Sequence, residues 1–394
     1  MKAHGLWRML GAHAVCHTLT RRGARAALGG CLLLAVPTAF AATAQPADAA
    51  AAASPAAAVN GSARAKPIPV LAYYYIWYNA SSWNRAKIDY PLAGRYSSDD
   101  VAVMRQQVSQ AKHAGITGFL VSWKDTPLLD RRLEKIADVA ADAHFKLGIV
   151  FEGRDFHGKP LPMTDVNRSF RYLVANYGKN PVFHIFGEPL VAWSGTWAYT
   201  RPELAMISHA YGSKLTLLAM EKDPAQYQTV AGLFRGDAYY WSSVDPLHTP
   251  GYARKLGEFS AVVHQRGGLW IAPAAPGFDA RLVGGTRVIS RRNGQTLRLE
   301  MNAAIGSGAD AVGLISWNEY SENSEVEPDR AYGGTALKVI ATIEHAKAPA
   351  VTNFDSSAPS GFDPGPSQFV ILGALVVLFA GSIAVIVRRR GRAT

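Results

Sequence analysis

Eight times between residues 67 and 348, a short run of β-branched and aromatic residues is followed by a segment with helical spacing. The strand-like runs are 68–75, 116–123, 146–151, 182–185 together with 190–193, 214–219, 238–241, 269–274 and 311–317. The helical segments are 99–114, 128–143, 166–176, 201–211, 224–233, 251–266, 297–307 and 334–345. Two strands separated by a helix cannot close as a hairpin, so the chain crosses over and the strands run parallel. Eight such units, in a stretch close to the ~250 residues usual for the architecture, predict an α/β fold, a (β/α)8 TIM barrel. Ser97, Ser98, Asp99 and Asp100 supply a cap before the first helix and Gly115 a stop after it.

The two ends do not share this pattern. Arg21, Arg22 and Arg25 precede an apolar stretch at 26–40 that runs into small residues up to Ala44. This order predicts an N-terminal export signal over residues 1–44. Residues 45–66 are mostly alanine and read as a linker, as does the Pro/Gly/Ser stretch 349–368. Residues 369–387 form an uncharged apolar run of about the ~20 residues needed to cross a ~30 Å hydrocarbon core, and 388–394 form a basic tail. The positive-inside rule then places the tail in the cytoplasm and the barrel outside, as a single-pass protein of the cell membrane.

Charge follows the same division. Lys and Arg total 41 against 30 Asp and Glu, a formal +11. Lys2, Arg8, Arg21, Arg22, Arg25, Arg388, Arg389, Arg390 and Arg392 account for all but two of those eleven charges. A near-neutral body with basic ends argues against nucleic acid as a partner and for a membrane. Both cysteines, Cys16 and Cys31, lie in the leader, so packing alone must stabilise the body.

Barrel enzymes carry their chemistry at the C-terminal ends of the strands. Here those ends are rich in aromatic and acidic residues: Tyr75 and Trp77 after the first strand, Trp123 after the second, Glu152 after the third, Tyr240 and Trp241 after the sixth, and Asn318, Glu319 and Glu322 after the eighth. Rings stack on the C–H faces of a sugar while charged and amide groups bind its hydroxyls, so this rim suits a glycan. Tyr75, Trp77, Trp123, Glu152, Tyr240, Trp241 and Asn318 are its candidate contacts. A place in the core is the alternative for the rings, and an ion pair with Arg154 or Lys124 the alternative for Glu152. Glycosidic cleavage needs one group to protonate the leaving oxygen and another to act as base or nucleophile. Glu319 and Glu322, three positions apart on a tight turn, are the candidate pair, and like-charge proximity would keep one of them protonated.

The run Trp317-Asn318-Glu319-Tyr320-Ser321-Glu322-Asn323-Ser324-Glu325-Val326-Glu327-Pro328 resembles the signature after the last strand of glycoside hydrolase family 99, the endo-α-mannosidases and endo-α-mannanases. Tyr74 to Tyr78 is similar to that family's opening strand, the segment 114–123 to its second, and Pro276-Gly277-Phe278-Asp279 to the loop after its seventh. The resemblance implies a metal-independent, retaining, endo-acting α-glycosidase. It further implies that Glu319 is the base for the substrate's own 2-hydroxyl, giving a 1,2-anhydro intermediate, and that Glu322 is the acid and base at the leaving oxygen. It places Trp123 and Glu152 where the family contacts sugar. Tyr320, Ser321, Asn323 and Ser324 stand where Trp, His, Gly and Thr are usual, and the related family 71 α-1,3-glucanases keep glucan open as substrate.

The remaining features point to little else. Glu325, Glu327 and Asp329 read as a solvated acidic loop, with a calcium site as the lesser alternative. Asp279 and Arg281 are expected to hold the loop after the seventh strand. No His-x-x-x-His pair occurs and the body has no cysteine, so no zinc site is expected. No phosphate-binding Gly-Lys-Ser/Thr occurs either, and no cofactor is expected. The expected partners are therefore a glycan and a membrane, with the chain a monomer. The rival to an enzyme is a catalytically silent glycan-binding surface protein, and beyond that a structural one.

Overall fold

A computed structural model describes residues 68–351 apart from Phe156. In it eight strands, β1 Val70–Tyr75, β2 Gly118–Trp123, β3 Lys146–Glu152, β4 Leu190–Ser194, β5 Thr216–Met220, β6 Gly236–Ala238, β7 Leu269–Ala274 and β8 Ala311–Leu314, close into one barrel. Every pairing is parallel, and the ring shuts where β1 meets β8, with Val70 opposite Val312 and Ala72 opposite Leu314. The helices are α1 Val101–His113, α2 Pro127–Asp142, α3 Met163–Tyr177, α4 Arg201–Tyr211, α5 Pro224–Val230, α6 Tyr252–His264, α7 Gln295–Gly306 and α8 Thr335–Ile343. The predicted (β/α)8 barrel is what forms.

Side chains alternate along each strand, and here both faces are buried. Leu71, Tyr73, Tyr75, Leu120, Val150, Leu190, Leu218 and Ile271 fill the barrel interior. Their neighbours Val70, Ala72, Tyr74, Phe119, Val121, Trp123, Ile149 and Leu217 face the helices. Phe119 shows how dense that outer layer is: it stacks on Tyr74 at 4.6 Å and meets Phe145 at 4.9 Å and Trp317 at 5.1 Å. Each such side chain withdrawn from water contributes about 1.5–3 kcal/mol. Helix starts are fixed locally. Asp100 Oδ1 accepts from the amides of Ala102 at 2.9 Å and Val103 at 3.3 Å, and Thr200 and Glu203 form a capping box at α4. Gly115 ends the turn after α1 with φ +92°, and a Cβ there would lie 2.6 Å from Glu344 Cβ.

Three strands differ most from the sequence reading, the eighth by ending at Leu314 instead of 317. The run 182–185 is not part of β4: Pro181–Phe183 forms a 3-10 turn whose cap is Asn180, with Asn180 Oδ1 accepting from Val182 N at 3.1 Å. Pro181 has no N–H to give a ladder, so pairing begins only at Leu190. The sixth strand comes earlier than 238–241, at Gly236–Ala238. Gly236 lies so close to β7 that a Cβ would come 1.9 Å from the Leu269 carbonyl oxygen, so a residue that reads as a strand breaker is required there. Tyr240 and Trp241 then fall beyond the ladder. Among the described residues no helix is long and apolar enough to cross a membrane. The apolar run 369–387, the leader, the linker 45–66 and all but the first three residues of the linker 349–368 lie outside the described residues.

Candidate active site

The loop that follows β8 is held in place before any of its carboxylates can act. Asn318 does most of this: its Oδ1 accepts from Tyr75 N at 2.8 Å, and its Nδ2 donates to Tyr75 O at 3.0 Å and to Tyr96 Oη at 3.2 Å. The side-chain amide thereby continues the β1–β8 pairing past the point where the backbones part. Tyr78 Oη donates to the Asn318 carbonyl at 2.6 Å. The loop also folds back on itself, with Ser316 N donating to Ser324 O at 2.7 Å, Val326 N to Ser316 O at 2.8 Å, and Glu319 N to Ser316 Oγ at 2.7 Å. Asn323 turns it at φ +49°, a conformation asparagine tolerates. From outside, Asp279 N donates to Glu322 O at 2.7 Å, and Arg291 donates to the carbonyls of Glu325 at 2.6 Å and Asn323 at 3.1 Å.

This scaffold brings Glu319 and Glu322 into the lining of one cavity, shared with residues of five strands. Tyr73, Tyr75, Ser122, Val150, Glu152, Ser194, Met220 and Tyr240 line it with them. Tyr75 and Tyr240 share a hydroxyl hydrogen bond of 2.9 Å, and Tyr240 meets Tyr73 edge-on at 5.0 Å. Glu152 accepts from Ser122 Oγ at 2.8 Å.

The two carboxylates are buried, at 1% exposure for Glu319 and 4% for Glu322. Burial lifts both above the ordinary range, but their surroundings differ. Glu319 Oε1 accepts from Ser321 N at 2.9 Å and the carboxylate feels the charge of Lys87, so its rise is checked. Glu322 is raised first by burial and further by the charge of Glu319. Each keeps one oxygen, Oε2, without a hydrogen-bond partner among the described residues. Burial and the charge of Glu319 thus favour the neutral form of Glu322, while Ser321 N and Lys87 favour the charged form of Glu319.

Of the other sequence candidates, Tyr75, Tyr240 and Glu152 line the cavity and four residues do not. Trp123 is wholly buried on the helix side, stacked on Tyr172 at 5.7 Å with its Nε1 donating to Asp130 at 3.0 Å. Alternation decides this: Phe119, Val121 and Trp123 face outward, so Ser122 faces the cavity. Trp241 packs at 5.5 Å on Tyr252 under the ammonium of Lys255, also on the helix side. Trp77 lies against Tyr75 at 4.2 Å, and Asn318 is the staple described above. Tyr73, Ser122, Val150, Ser194 and Met220 were missed because they are small, aliphatic or deep. Their signal was the strand parity.

Arg154 turns to the Gly158 carbonyl at 2.8 Å and Lys124 to the Arg154 carbonyl, leaving Glu152 to Ser122. Arg281 holds Asp279 through contacts of 2.5–3.1 Å, as expected. The acidic loop is not solvated: Glu325 is 0%, Glu327 1% and Asp329 2% exposed. Glu327 is satisfied by Gln107 Nε2 at 2.6 Å, Tyr96 Oη at 2.9 Å and Tyr320 Oη at 3.1 Å, which lets a carboxylate stay in the interior.

Comparison with known proteins bears on the family and the fold. The profile of the family described as glycosyl hydrolase family 99 matches residues 79–339. The glycoprotein endo-alpha-1,2-mannosidase-like protein of Mus musculus is 22% identical over 266 residues, 60% of this chain and 57% of its own. The glycoprotein endo-alpha-1,2-mannosidase of Rattus norvegicus is 21% identical over 266 residues, 60% of this chain and 56% of its own. The chain thus spans a little over half the length of these relatives. The GH99 endo-alpha-mannosidase of Bacteroides thetaiotaomicron, solved with bis-tris-propane, superposes with a TM-score of 0.61 at 21% identity, covering 70% of this chain and 96% of its own. A solved glycoside hydrolase-like protein gives 0.56 at 16% identity, covering 72% and 94%. At such identities the structural likeness speaks for the barrel alone. The profile, however, spans nearly the whole described barrel and more than half of the 394 residues, and on that ground the chain belongs to glycosyl hydrolase family 99.

Proposed function

We propose that this chain is a retaining, endo-acting α-glycoside hydrolase of α-mannan-type polysaccharide, held on the outer face of a cell membrane by its apolar run at 369–387. The observation that carries the hydrolase reading is the buried Glu319/Glu322 pair, one carboxyl relieved by Ser321 N and Lys87 and the other not. Such a pair offers one proton and one base at neutral pH, the two things glycosidic cleavage requires. In this reading Glu322 gives its proton to the leaving oxygen while Glu319 takes the proton of the substrate's 2-hydroxyl. The freed oxygen closes on C1 as the C1–O bond breaks, forming a 1,2-anhydro sugar. Water then opens that ring at C1, losing a proton to Glu322 as Glu319 returns one to O2. Both carboxyls end as they began, and two inversions at C1 leave net retention. Glu152 and the hydroxyls of Tyr75 and Tyr240 are the proposed contacts to sugar hydroxyls.

The names of these relatives favour mannan over α-1,3-glucan. Two of the four departures from the family signature, Tyr320 and Ser324, do not weigh against it. Tyr320 turns its ring to Trp83 at 5.4 Å and its hydroxyl to Glu327, and Ser324 is 0% exposed inside the loop, so neither lines the cavity. Incubation of the purified protein with α-mannans and α-glucans, read by product mass, should give internal cleavage of an α-mannan. Sugar binding without any product would leave the silent-binder reading in its place.

The membrane placement has its own check. Protease added to intact cells should remove the barrel and spare a tag placed after Arg392. Digestion of the tag with protection of the barrel would reverse the orientation.

A further inference from the structure

Three carboxylates that do not line the cavity and that the proposed reaction does not use meet where the loop after β8 touches the loop after β1. Asp89 comes from the loop after β1, and Glu325 and Asp329 come from the loop after β8. They are 4%, 0% and 2% exposed, and each places an oxygen within 4.8 Å of the other two. For an equilateral triangle of 4.8 Å sides the centre lies about 2.8 Å from each corner, so contraction by a few tenths of an ångström brings all three oxygens to the ~2.3–2.6 Å of a calcium–oxygen bond.

The protein's own donors do not satisfy this cluster. Asp89 accepts from Tyr90 N at 2.7 Å and from Ala331 N at 3.1 and 3.2 Å, and Asp329 accepts from Tyr332 N at 2.5 Å. Glu325 Oε1 accepts from Arg291 Nη2 at 2.5 Å, but its Oε2 is buried without a partner among the described residues. Arg291 reaches Asp329 only at 4.0 Å. A single guanidinium faces three buried carboxylates, and one carboxylate oxygen among them has no donor among the described residues, an arrangement that a divalent cation would complete.

We propose that Asp89, Glu325 and Asp329 bind a calcium ion that ties the loop after β1 to the loop bearing Glu319 and Glu322. The donor set is all carboxylate oxygen, which selects a hard cation over zinc. Magnesium prefers a near-ideal octahedron at ~2.0–2.1 Å and keeps several waters, for which this buried cluster is poorly suited. The site joins segments already stitched by Leu92 N to Pro328 O at 2.9 Å and Arg330 N to Tyr90 O at 3.0 Å, so the ion would lock a seam that the backbone has formed. The inference stands whether or not the hydrolase reading does.

The test uses the full chain purified in detergent, stripped with EGTA and dialysed. Titration with CaCl2 should show one ion per chain, and a hundredfold excess over Kd should raise Tm by about 5–10 °C. Asp89→Asn keeps an oxygen for Tyr90 N and Ala331 N but removes a charge, and should abolish most of the shift. Equal melting in EGTA and CaCl2, or an equal shift from NaCl at matched ionic strength, overturns the proposal. If Asp89→Asn does not fold, the stoichiometry and the EGTA comparison on the unaltered chain still decide it.

Discussion

Glu322→Gln is expected to lower kcat/KM on a polysaccharide by about 10²–10⁴ while leaving an aryl or fluoride α-glycoside with a good leaving group turned over at close to the parent rate. The difference between substrates is the point. Glutamine fills the same space, but its amide cannot give up a proton, and the need for that proton grows with the basicity of the departing oxygen. Glu319→Gln should cost about 10²–10⁴ on both substrates, because the 2-hydroxyl must lose its proton whatever leaves. A 2-deoxy glycoside should fail with the unaltered enzyme for the same reason. The assignment follows from surroundings: Ser321 N and Lys87 favour the charged form of Glu319, whereas burial and the neighbouring charge favour the neutral form of Glu322. Full activity in both variants would make the pair a structural turn and place the catalytic groups elsewhere. The reverse pattern of sensitivities would keep the enzyme and exchange the two roles.

The barrel was legible because its strands are buried on both faces, which writes them as continuous apolar runs that need no phase to be seen. The bounds of β7 and α4 agree with the reading to the residue. Where a backbone constraint set the boundary, the reading slipped. Pro181 made a turn from residues that look like a strand, and Gly236 began a strand while looking like its end. The site was legible in a different measure. Its carboxylates were found from chemistry and position, since Glu319 and Glu322 follow the eighth strand.

The rings were chosen by type and not by phase, and Trp123 and Trp241 went to the helix layer. Residues that make room, such as Ser122 and Ser194, carry no chemical signature and appear only once parity is counted. The acidic loop was misread because its compensating partners, Arg291, Gln107 and Tyr96, lie 34 to 231 positions away and come together only when β1 and β8 close the ring.

The pH dependence of kcat/KM should be a bell whose acid limb lies above the ordinary Glu value of 4.5, because burial raises both members of the pair. The active form needs Glu319 ionised and Glu322 protonated, so rate is lost as pH falls through the first ionisation of the pair and lost again as pH rises through the second. Tyr75 and Tyr240 border both carboxyls, but burial holds their hydroxyls well above 10, so they stay protonated and contribute neither limb. Lys87 is the nearby cation, and burial lowers it to about 8, so it is charged throughout the acid limb. There its charge favours ionised Glu319. Lys87→Met removes that help, and the sign is therefore fixed: the acid limb moves to higher pH, costing about threefold in rate on the acid side for each half unit of movement. Above about 8 the parent enzyme has itself lost most of this charge, so the two proteins should converge at alkaline pH. Profiles of kcat/KM for both proteins from pH 4 to pH 10 measure this. An unchanged acid limb in Lys87→Met would remove Lys87 from the site's electrostatics, and a shift to lower pH would mean that the first ionisation does not belong to the Glu319 side of the pair.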